Sequence, residues 1–451
     1  MTIIKEELGM AESRFVLKGY HGGTFLEGNR DRSIDQAITK AQAPGILVFP
    51  MTMHIGQAAK PVVKVGDSVK IGSLLGQAQG HVSANIHSSV SGQVISVENR
   101  MLNGRQLECV IVKNDYQDDQ APALTGYGED LEPETIIDLI RQAGIAGMGG
   151  AEFPTAVKLI QDEGEKINHL IVNGAECEPY ATSDYRTILE KSEQILEGIR
   201  LLDQVFEVKT ITITLEKDMA QAGQALEKQI AQTGYSKCQV KLLPTQYPQG
   251  AERKLIEVCK GLQVPSGGLP KDVGCLVSNV GTLVAIYQAV RLGKPLTERV
   301  VTVTGSPIKE AKNLLVRIGT PVDDLIDQCG GFDQAPRKVL LGGPMMGQAI
   351  NDGGIPISKG TTHVTFLAAD EVDQRNRMDC IRCAECLNVC PVGLQPILIS
   401  NAYERGDIQA AQELGALDCI ECGNCSYICP SHIPLLENIR KAKVTIRERE
   451  G

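Results

Sequence analysis

The sequence predicts a multidomain α/β protein, and three stretches predict it. Residues 54–100 hold two half-repeats of short strands, "KPVVKVGDSVKIGSLLG" and "ANIHSSVSGQVISV", with Gly-Asp and Ser-Gly turns. Around "GMGGAEFPTAVK" the pattern runs helix, glycine loop, helix start, strand. The last quarter carries the same cysteine run twice, with apolar residues at helical spacing between the copies. A chain of 451 residues has room for roughly two to four domains, each with its own core.

Charge and cysteine usage narrow the class. The 45 basic residues against 55 acidic ones, a net of −10, argue against a general nucleic-acid binder. No apolar run reaches the ~20 residues a membrane span needs. Residues 1–10 lack the basic start and apolar stretch of a signal peptide, so the expected location is the cytosol. Fourteen cysteines without a secretion signal point to metal or redox chemistry, not disulfides.

The first domain is expected over 1–124, with a barrel-sandwich at about 54–113 that resembles biotinyl and lipoyl carriers. No lysine lies between Lys70 and Lys113, so its hairpin tip has nothing to hold biotin or lipoate. The unit reads as structural or docking, and His81 and His87 are its candidate polar residues. "TGYGEDLEP" (125–133) is a linker by its Gly, Asp and Pro content.

The second domain is expected over 125–298. "EPETIIDLIRQAG" has Pro133 at its start, helical apolar spacing and Gly144 as a stop. The dinucleotide fingerprint would need a strand there and a third glycine where Glu152 stands. Gly147, Gly149 and Gly150 instead form a loop whose backbone N–H groups can lie against a planar ring or a phosphate. Lys158, one turn into the following helix, could reach a phosphate or ring oxygen.

Strand, helix and strand alternate over "VTVTGSPI", "NLLVRIGTPVDDLIDQCGG" and "KVLLGGPMMGQAI", a small β-grasp pattern in a domain of residues 299–368. Gly342 and Gly343 would let backbone approach a partner closely, or simply make a turn. Residues 369–451 carry Cys380, Cys383, Cys386 and Cys390, then Cys419, Cys422, Cys425 and Cys429. Each set is C-x2-C-x2-C-x3-C-P, which gives three thiolates to one [4Fe–4S] cluster and the fourth to its neighbour. Cys380, Cys383, Cys386 and Cys429 should hold one cluster, and Cys419, Cys422, Cys425 and Cys390 the other. Zinc ribbons need neither the third cysteine nor the proline. Between the runs, "PILISNAYERGDIQAAQEL" reads as two helices broken at Gly406, giving an all-helical two-cluster ferredoxin domain. Six other cysteines, Cys177 among them, lack ligand spacing and read as buried apolar residues. The tail "NIRKAKVTIRERE" reads as a solvated helix face, or one that rests on a membrane or an acidic partner.

In this order, "GMGGAEFPTAVK", "VNGAECEPYATSDYRTILE", "YPQGAE" and "SNVGTL" resemble the flavin-binding segments of the NADH-oxidising subunit of respiratory complex I. With the cysteine runs behind them, nearly the whole chain resembles the C subunits of Rnf electron-transport complexes. The resemblance implies a Rossmann-like FMN domain exchanging hydride with NAD(H), an SLBB β-grasp domain and a helical ferredoxin domain. It also implies partner subunits in a membrane complex coupled to ion transport, and a peripheral place on the cytoplasmic face of the membrane.

Carried over by residue, Gly147, Gly149, Gly150 and Lys158 match the loop against FMN. Asn173, Glu176 and Glu178 match the strand end beneath ring and nicotinamide. Tyr247, Gly250 and Glu252 match an element near the nucleotide, and Ser278, Asn279 and Thr282 the turn that holds the flavin phosphate. Phe153 falls where an aromatic would stack on the nicotinamide or adenine, and with Glu178 it is the candidate for the reacting side. Four positions depart from complex I: Met148 for arginine, Ala175 for aspartate, Glu152 for a small residue and Ala251 for the first of two glutamates. Glu152 and Ala251 fall on the side where the nucleotide should approach. Electrons are expected to pass from flavin to the Cys380 group, then the Cys419 group, then partners. The alternatives are a soluble flavin and iron–sulfur carrier that serves a dedicated reductase without NAD, and a non-catalytic assembly protein.

Overall fold

The computed structural model describes residues 19–161 and 164–450, so the first 18 residues of the expected N-terminal domain lie outside the described residues. Strand β1 (Ile38–Lys40) leaves its neighbours to pair in parallel with a strand at 312–317. β2 (Ile46–Pro50), β4 (Ser68–Val69), β7 (Gly92–Leu102) and β8 (Arg105–Asn114) make an antiparallel sheet in the order 2-8-7-4. β3 (Lys60–Pro61), β5 (Leu74–Gln77) and β6 (Ile86–His87) make a second, and Leu47, Phe49, Met51, Leu75 and Val94 fill the space between them. The β7–β8 hairpin closes on Asn103 and Gly104 alone, at φ 46° and 78°. An Asn-Gly pair accepts those angles at little cost, which fixes the register of the longest ladder in the chain.

Next come α1 (Pro133–Gln142), α2 (Thr155–Lys158), β9 (His169–Asn173), α3 (Ser183–Phe206), β10 (Thr210–Glu216), α4 (Ala220–Thr233), β11 (Cys238–Leu243), α5 (Glu252–Lys260), β12 (Cys275–Asn279) and α6 (Val280–Leu292). The four strands are parallel in the order 11-10-9-12. The strands are covered on both faces, so even Thr212 and Thr214 of β10 are buried. Gly198 lets α3 approach α6: a Cβ there would sit 2.3 Å from the Leu283 carbonyl oxygen. Strand order reverses between β9 and β12, and ligands of open parallel sheets bind in the crevice beyond the carboxyl ends at such a point. Asn173 and Asn279 face each other there as register partners.

β13 (Glu298–Thr304), β14 (Lys312–Arg317), α7 (Asp323–Ile326), β15 (Lys338–Leu341), β16 (Gln348–Ile350) and β17 (His363–Leu367) build a mixed sheet in the order 1-14-13-17-15-16. β13 and β17 are its parallel central pair. The C-terminal domain contains α8 (Glu385–Asn388), α9 (Pro396–Glu404), α10 (Ile408–Glu413), α11 (Asn424–Tyr427) and α12 (Leu435–Glu450). Gly406, at φ 75°, breaks α9 from α10. The basic tail is not a free face all round: Ile439, Ala442 and Ile446 of α12 are buried with Ile399 and Ile408.

Candidate functional site

The glycine loop lies over the crevice. It folds back on itself through Gly147 N–H to the Phe153 carbonyl (2.8 Å) and Glu152 N–H to the Gly147 carbonyl (3.2 Å). The Met148 amide donates to Thr282 Oγ1 (3.0 Å), and a Cβ on Gly149 would meet Asn279 at 3.3 Å. The loop and the start of α6 are therefore in contact. Gly149, Gly150 and Ala151 are exposed, and among the described residues their N–H groups find no acceptor. They lie beside the first turn of α6, whose own N–H groups have no partner within the helix. Asn279 caps that helix, accepting from the Gly281 amide (2.8 Å), and Ser278 is buried behind it. Asn173 donates to the Gly250 carbonyl (2.9 Å) and accepts from the Ala175 amide (3.1 Å). Lys158 and Glu252 form an ion pair across the crevice mouth, both partly exposed. Phe153 is half-buried at the end of the loop.

Three expected contacts turn out differently. The Glu176 carboxylate is taken up by the start of α3, accepting from Ser183 Oγ and from the Asp184 and Tyr185 amides, all at 3.0 Å. It caps the start of that helix, favoured by the N-terminal dipole, and three of its acceptor positions are taken there. Glu178 accepts from the Met345 and Met346 amides (2.8 and 3.1 Å) of the "GGPMMG" loop. Its carboxyl is raised by burial, against the pull of those amides. Gly343 is needed for this approach, since a Cβ would sit 2.5 Å from Glu178. Tyr247 is buried away from the crevice mouth, with its hydroxyl on the Cys422 carbonyl (2.8 Å).

Glu152 is engaged through its carboxylate by another domain. It sits at φ 51°, and its carboxylate accepts from Ser358 Oγ and from the Gly360 amide (2.6 Å). It ties the loop to the mixed-sheet domain. Two buried cations, which sequence reading missed, complete that tie. Arg299 donates to the carbonyls of Met148 (3.2 Å) and Lys359. Burial pushes its guanidinium down to about 10, against Asp184, Glu152 and Glu176, so it remains a cation at neutral pH. Lys359 Nζ donates to the Gly144 and Asn85 carbonyls (2.7 and 2.6 Å). Burial pushes it down to about 7, with Glu152 opposing. The signal for Arg299 was a lone charge in the apolar strand "RVVTVT"; Lys359 carried none. Asp184, also missed, is buried, accepts from Asn279 Nδ2 (2.6 Å) and is raised by burial and by the charge of Glu176.

The two cysteine groups differ in setting. Cys380 and Cys383 are exposed, and with Cys386 and Cys429 they line a cavity of about 460 Å3. Among the described residues no three His, Cys, Asp or Glu side chains crowd round a single ion position. A cavity of that size among four sulfurs suits a four-iron cube better than one zinc ion at ~2.3 Å from each sulfur. Cys390, Cys422 and Cys425 are buried and Cys419 is half-buried. Arg382 and Glu421 (φ 60° and 58°), then Ala384 and Gly423 (φ 64° and 84°), repeat the same left-handed turns in the two motifs. Cys422 packs with Tyr247 and Met345, and with Leu26, Cys177 and Ile420 beside them. The Cys419 group is therefore the one next to the parallel-sheet domain, which reverses the order expected from the sequence.

A ring-and-phosphate crevice joined through packed protein to two four-cysteine sites defines a flavin and iron–sulfur electron-transfer protein. Family models match in the same places: the Nuo51 FMN-binding domain over 140–288, the RnfC barrel sandwich hybrid domain over 18–117, the SLBB domain over 300–349 and the 4Fe-4S dicluster domain over 373–430. The C subunit of the proton-translocating ferredoxin:NAD(+) oxidoreductase complex of Clostridium ljungdahlii is 40% identical over 401 residues, covering 88% of this chain and 87% of its own. The C subunit of the ion-translocating oxidoreductase complex of Rhodobacter capsulatus is 40% identical over 434 residues, covering 95% and 83%. The C subunit of the Na(+)-translocating ferredoxin:NAD(+) oxidoreductase complex of Acetobacterium woodii is 39% identical over 429 residues, covering 94% and 96%. The chain belongs to the family of Rnf complex C subunits. It is an electron-transfer subunit with an FMN-binding and a two-cluster domain, and no described helix is long and apolar enough to cross a membrane.

Proposed function

We propose that the chain is itself an NAD(H)-dependent oxidoreductase, the flavin-bearing input or output of an Rnf-type ferredoxin:NAD oxidoreductase coupled to ion transport. The observation that carries it is the run of unpaired amides at Gly149, Gly150 and Ala151 beside the start of α6, at the reversal of strand order. Bound FMN supplies the exchange of a hydride for single electrons. In this reading Gly147 to Gly150, Ser278, Asn279 and Thr282 hold its ring and phosphate, Lys158 and Glu252 close the mouth, and Asn173 and Gly250 shape the floor. Phe153 offers a face for the nicotinamide. The cysteines of the 390/419/422/425 group stand nearer the flavin, and those of the 380/383/386/429 group face a partner subunit. A cytoplasmic, membrane-peripheral location follows from that partnership.

We further propose domain bounds of 1–124, 125–298, 299–368 and 369–451, with β1 lent to the third. The second is Rossmann-like and the third a β-grasp. The fourth is an all-helical ferredoxin domain. The carrier reading without NAD leaned on Glu152 at the nucleotide side, and the contact of Glu152 with Ser358 and Gly360 weakens it. Cofactor-loaded protein titrated anaerobically with NADH should lose its flavin absorption. Flavin that dithionite reduces and NADH does not would remove NAD from the assignment.

A further inference from the structure

The segment 19–30 is a strap with no helix and a single-residue bridge, held at both ends and in the middle by polar contacts. At one end Arg30 is buried against Glu216 (3.1 Å), Asp218 (2.5 Å) and the Glu176 carbonyl. At the other, Gln246 Nε2 holds the Tyr20 and Gly22 carbonyls (2.9 and 2.5 Å). Between these anchors the strap meets the cysteine scaffold. Gly23 N–H donates to the Val389 carbonyl (2.9 Å). Gly22 has φ 84°, and a Cβ on it would sit 2.7 Å from the Cys390 carbonyl oxygen, so only glycine lets the strap lie this close.

Thr24 and Tyr247 are the centre of the junction. Their backbones exchange two hydrogen bonds, at 2.9 and 2.7 Å. Thr24 Oγ1 donates to Asn424 Oδ1 (2.8 Å), and Asn424 Nδ2 donates to the Tyr247 carbonyl (3.3 Å). The Tyr247 hydroxyl reaches the Cys422 carbonyl (2.8 Å). Thr24, Tyr247 and Asn424 are all at least nine-tenths buried. The mixed-sheet domain closes the third side, where a Cβ on Gly423 would meet the Met345 carbonyl oxygen at 2.6 Å. Around Cys380 to Cys386, by contrast, the hydrogen bonds among the described residues stay within the C-terminal domain.

We propose that Thr24 and Tyr247 are positioning residues for the inner cluster: they fix the Cys390–Cys422 side of its scaffold against the flavin domain and thereby set that cluster's reduction potential independently of the outer one. The inference rests on the cysteine groups holding [4Fe–4S] clusters as read above. Cluster potential responds to hydrogen bonding and solvent exposure, and the junction controls both. The hydroxyl dipole of Tyr247 points its positive end at the inner scaffold, which favours the more negative, reduced state. The ring and the strap keep water from the same place.

The test is an anaerobic redox titration of the full, cofactor-loaded chain, read by electron paramagnetic resonance for the two clusters and by absorption for the flavin. Tyr247→Phe removes one hydroxyl and keeps the volume; Thr24→Val removes the bond to Asn424 and keeps the shape. Both should shift the midpoint of the same single cluster, Tyr247→Phe to a lower potential, with the other cluster and the flavin content unmoved. Thr24→Ser, which keeps the hydroxyl, should titrate as the parent does. The proposal is overturned if neither cluster shifts, if both shift together, or if Thr24→Ser behaves like Thr24→Val. A parent protein that shows no [4Fe–4S] signal at all would instead sink the cluster reading beneath it.

Discussion

Replacing Glu152 by glycine separates a carboxylate that clamps domains from one that repels a nucleotide. The residue is held at φ 51°, a left-handed conformation that costs a side-chain-bearing residue roughly 1 kcal/mol and glycine almost nothing. Against that gain stand the hydrogen bonds to Ser358 and Gly360. Hydrogen bonds to a charged group contribute about 1.5–3 kcal/mol each, and partial exposure of Glu152 places these at the lower end, about 3 kcal/mol for the pair. Glu152→Gly should therefore destabilise the loop and its attachment by about 2 kcal/mol. In urea unfolding followed through the fluorescence of released FMN, a slope of about 2 kcal/mol per molar makes that a midpoint lower by about 1 M. Affinity for NADH should stay within about twofold. A variant that keeps its midpoint and binds NADH tenfold tighter, about 1.4 kcal/mol, would refute the reasoning, because the carboxylate would then face the nucleotide.

Two further substitutions test the buried charges. Asp184 is raised by burial and by Glu176, so its folded form holds a proton that the unfolded chain releases above about pH 4. The Asp184 contribution to stability should fall as pH rises through that window and beyond, and Asp184→Asn should gain on the parent between pH 5 and pH 8 in urea midpoints; an equal difference at both would contradict the shift. His87 is buried, its Nδ1 has no partner among the described residues, and burial, then the Lys359 charge, push it down to about 3. It must fold neutral, so stability is lost as pH falls below about 6.5, by up to about 1.4 kcal/mol per unit. His87→Leu should flatten the acid limb between pH 6 and pH 4 and cost nothing at pH 7; an unchanged limb would show that His87 is not a source of it.

What was legible in the sequence is what neighbouring residues decide among themselves. The cysteine runs fix their own winding, as the paired left-handed turns at Arg382 and Glu421 show. Gly406 breaks its helix, Asn103-Gly104 closes its hairpin, and Asn279 caps α6 because helix starts favour that side chain. For Glu176, Glu178, Glu152 and Tyr247 the hydrogen bonds were not legible there. Each lies in a motif next to the crevice, but its hydrogen bonds are chosen by a segment elsewhere: the start of α3, the Met345 loop, the Ser358 turn and the second cysteine run. A carboxylate beside a cofactor site and a carboxylate that buckles one domain to another share the same local pattern. β1 is the backbone form of the same limit, three residues whose pairing partner comes more than 270 positions later.

The order of the two cysteine groups shows most clearly why long-range contact had to be seen. Both runs have identical spacing, so spacing alone cannot say which one the flavin faces. The asymmetry enters through residues with no ligand role: Gly22 and Gly23, whose missing side chains admit the strap, and Tyr247, whose hydroxyl is satisfied by a cysteine carbonyl 175 residues away. Burial of Cys390, Cys422 and Cys425 beside an exposed Cys380 and Cys383 is then a consequence of where the strap lies. The same strap that seals one group leaves the other exposed, so the asymmetry between the two groups is built into the packing of domains and not into either motif.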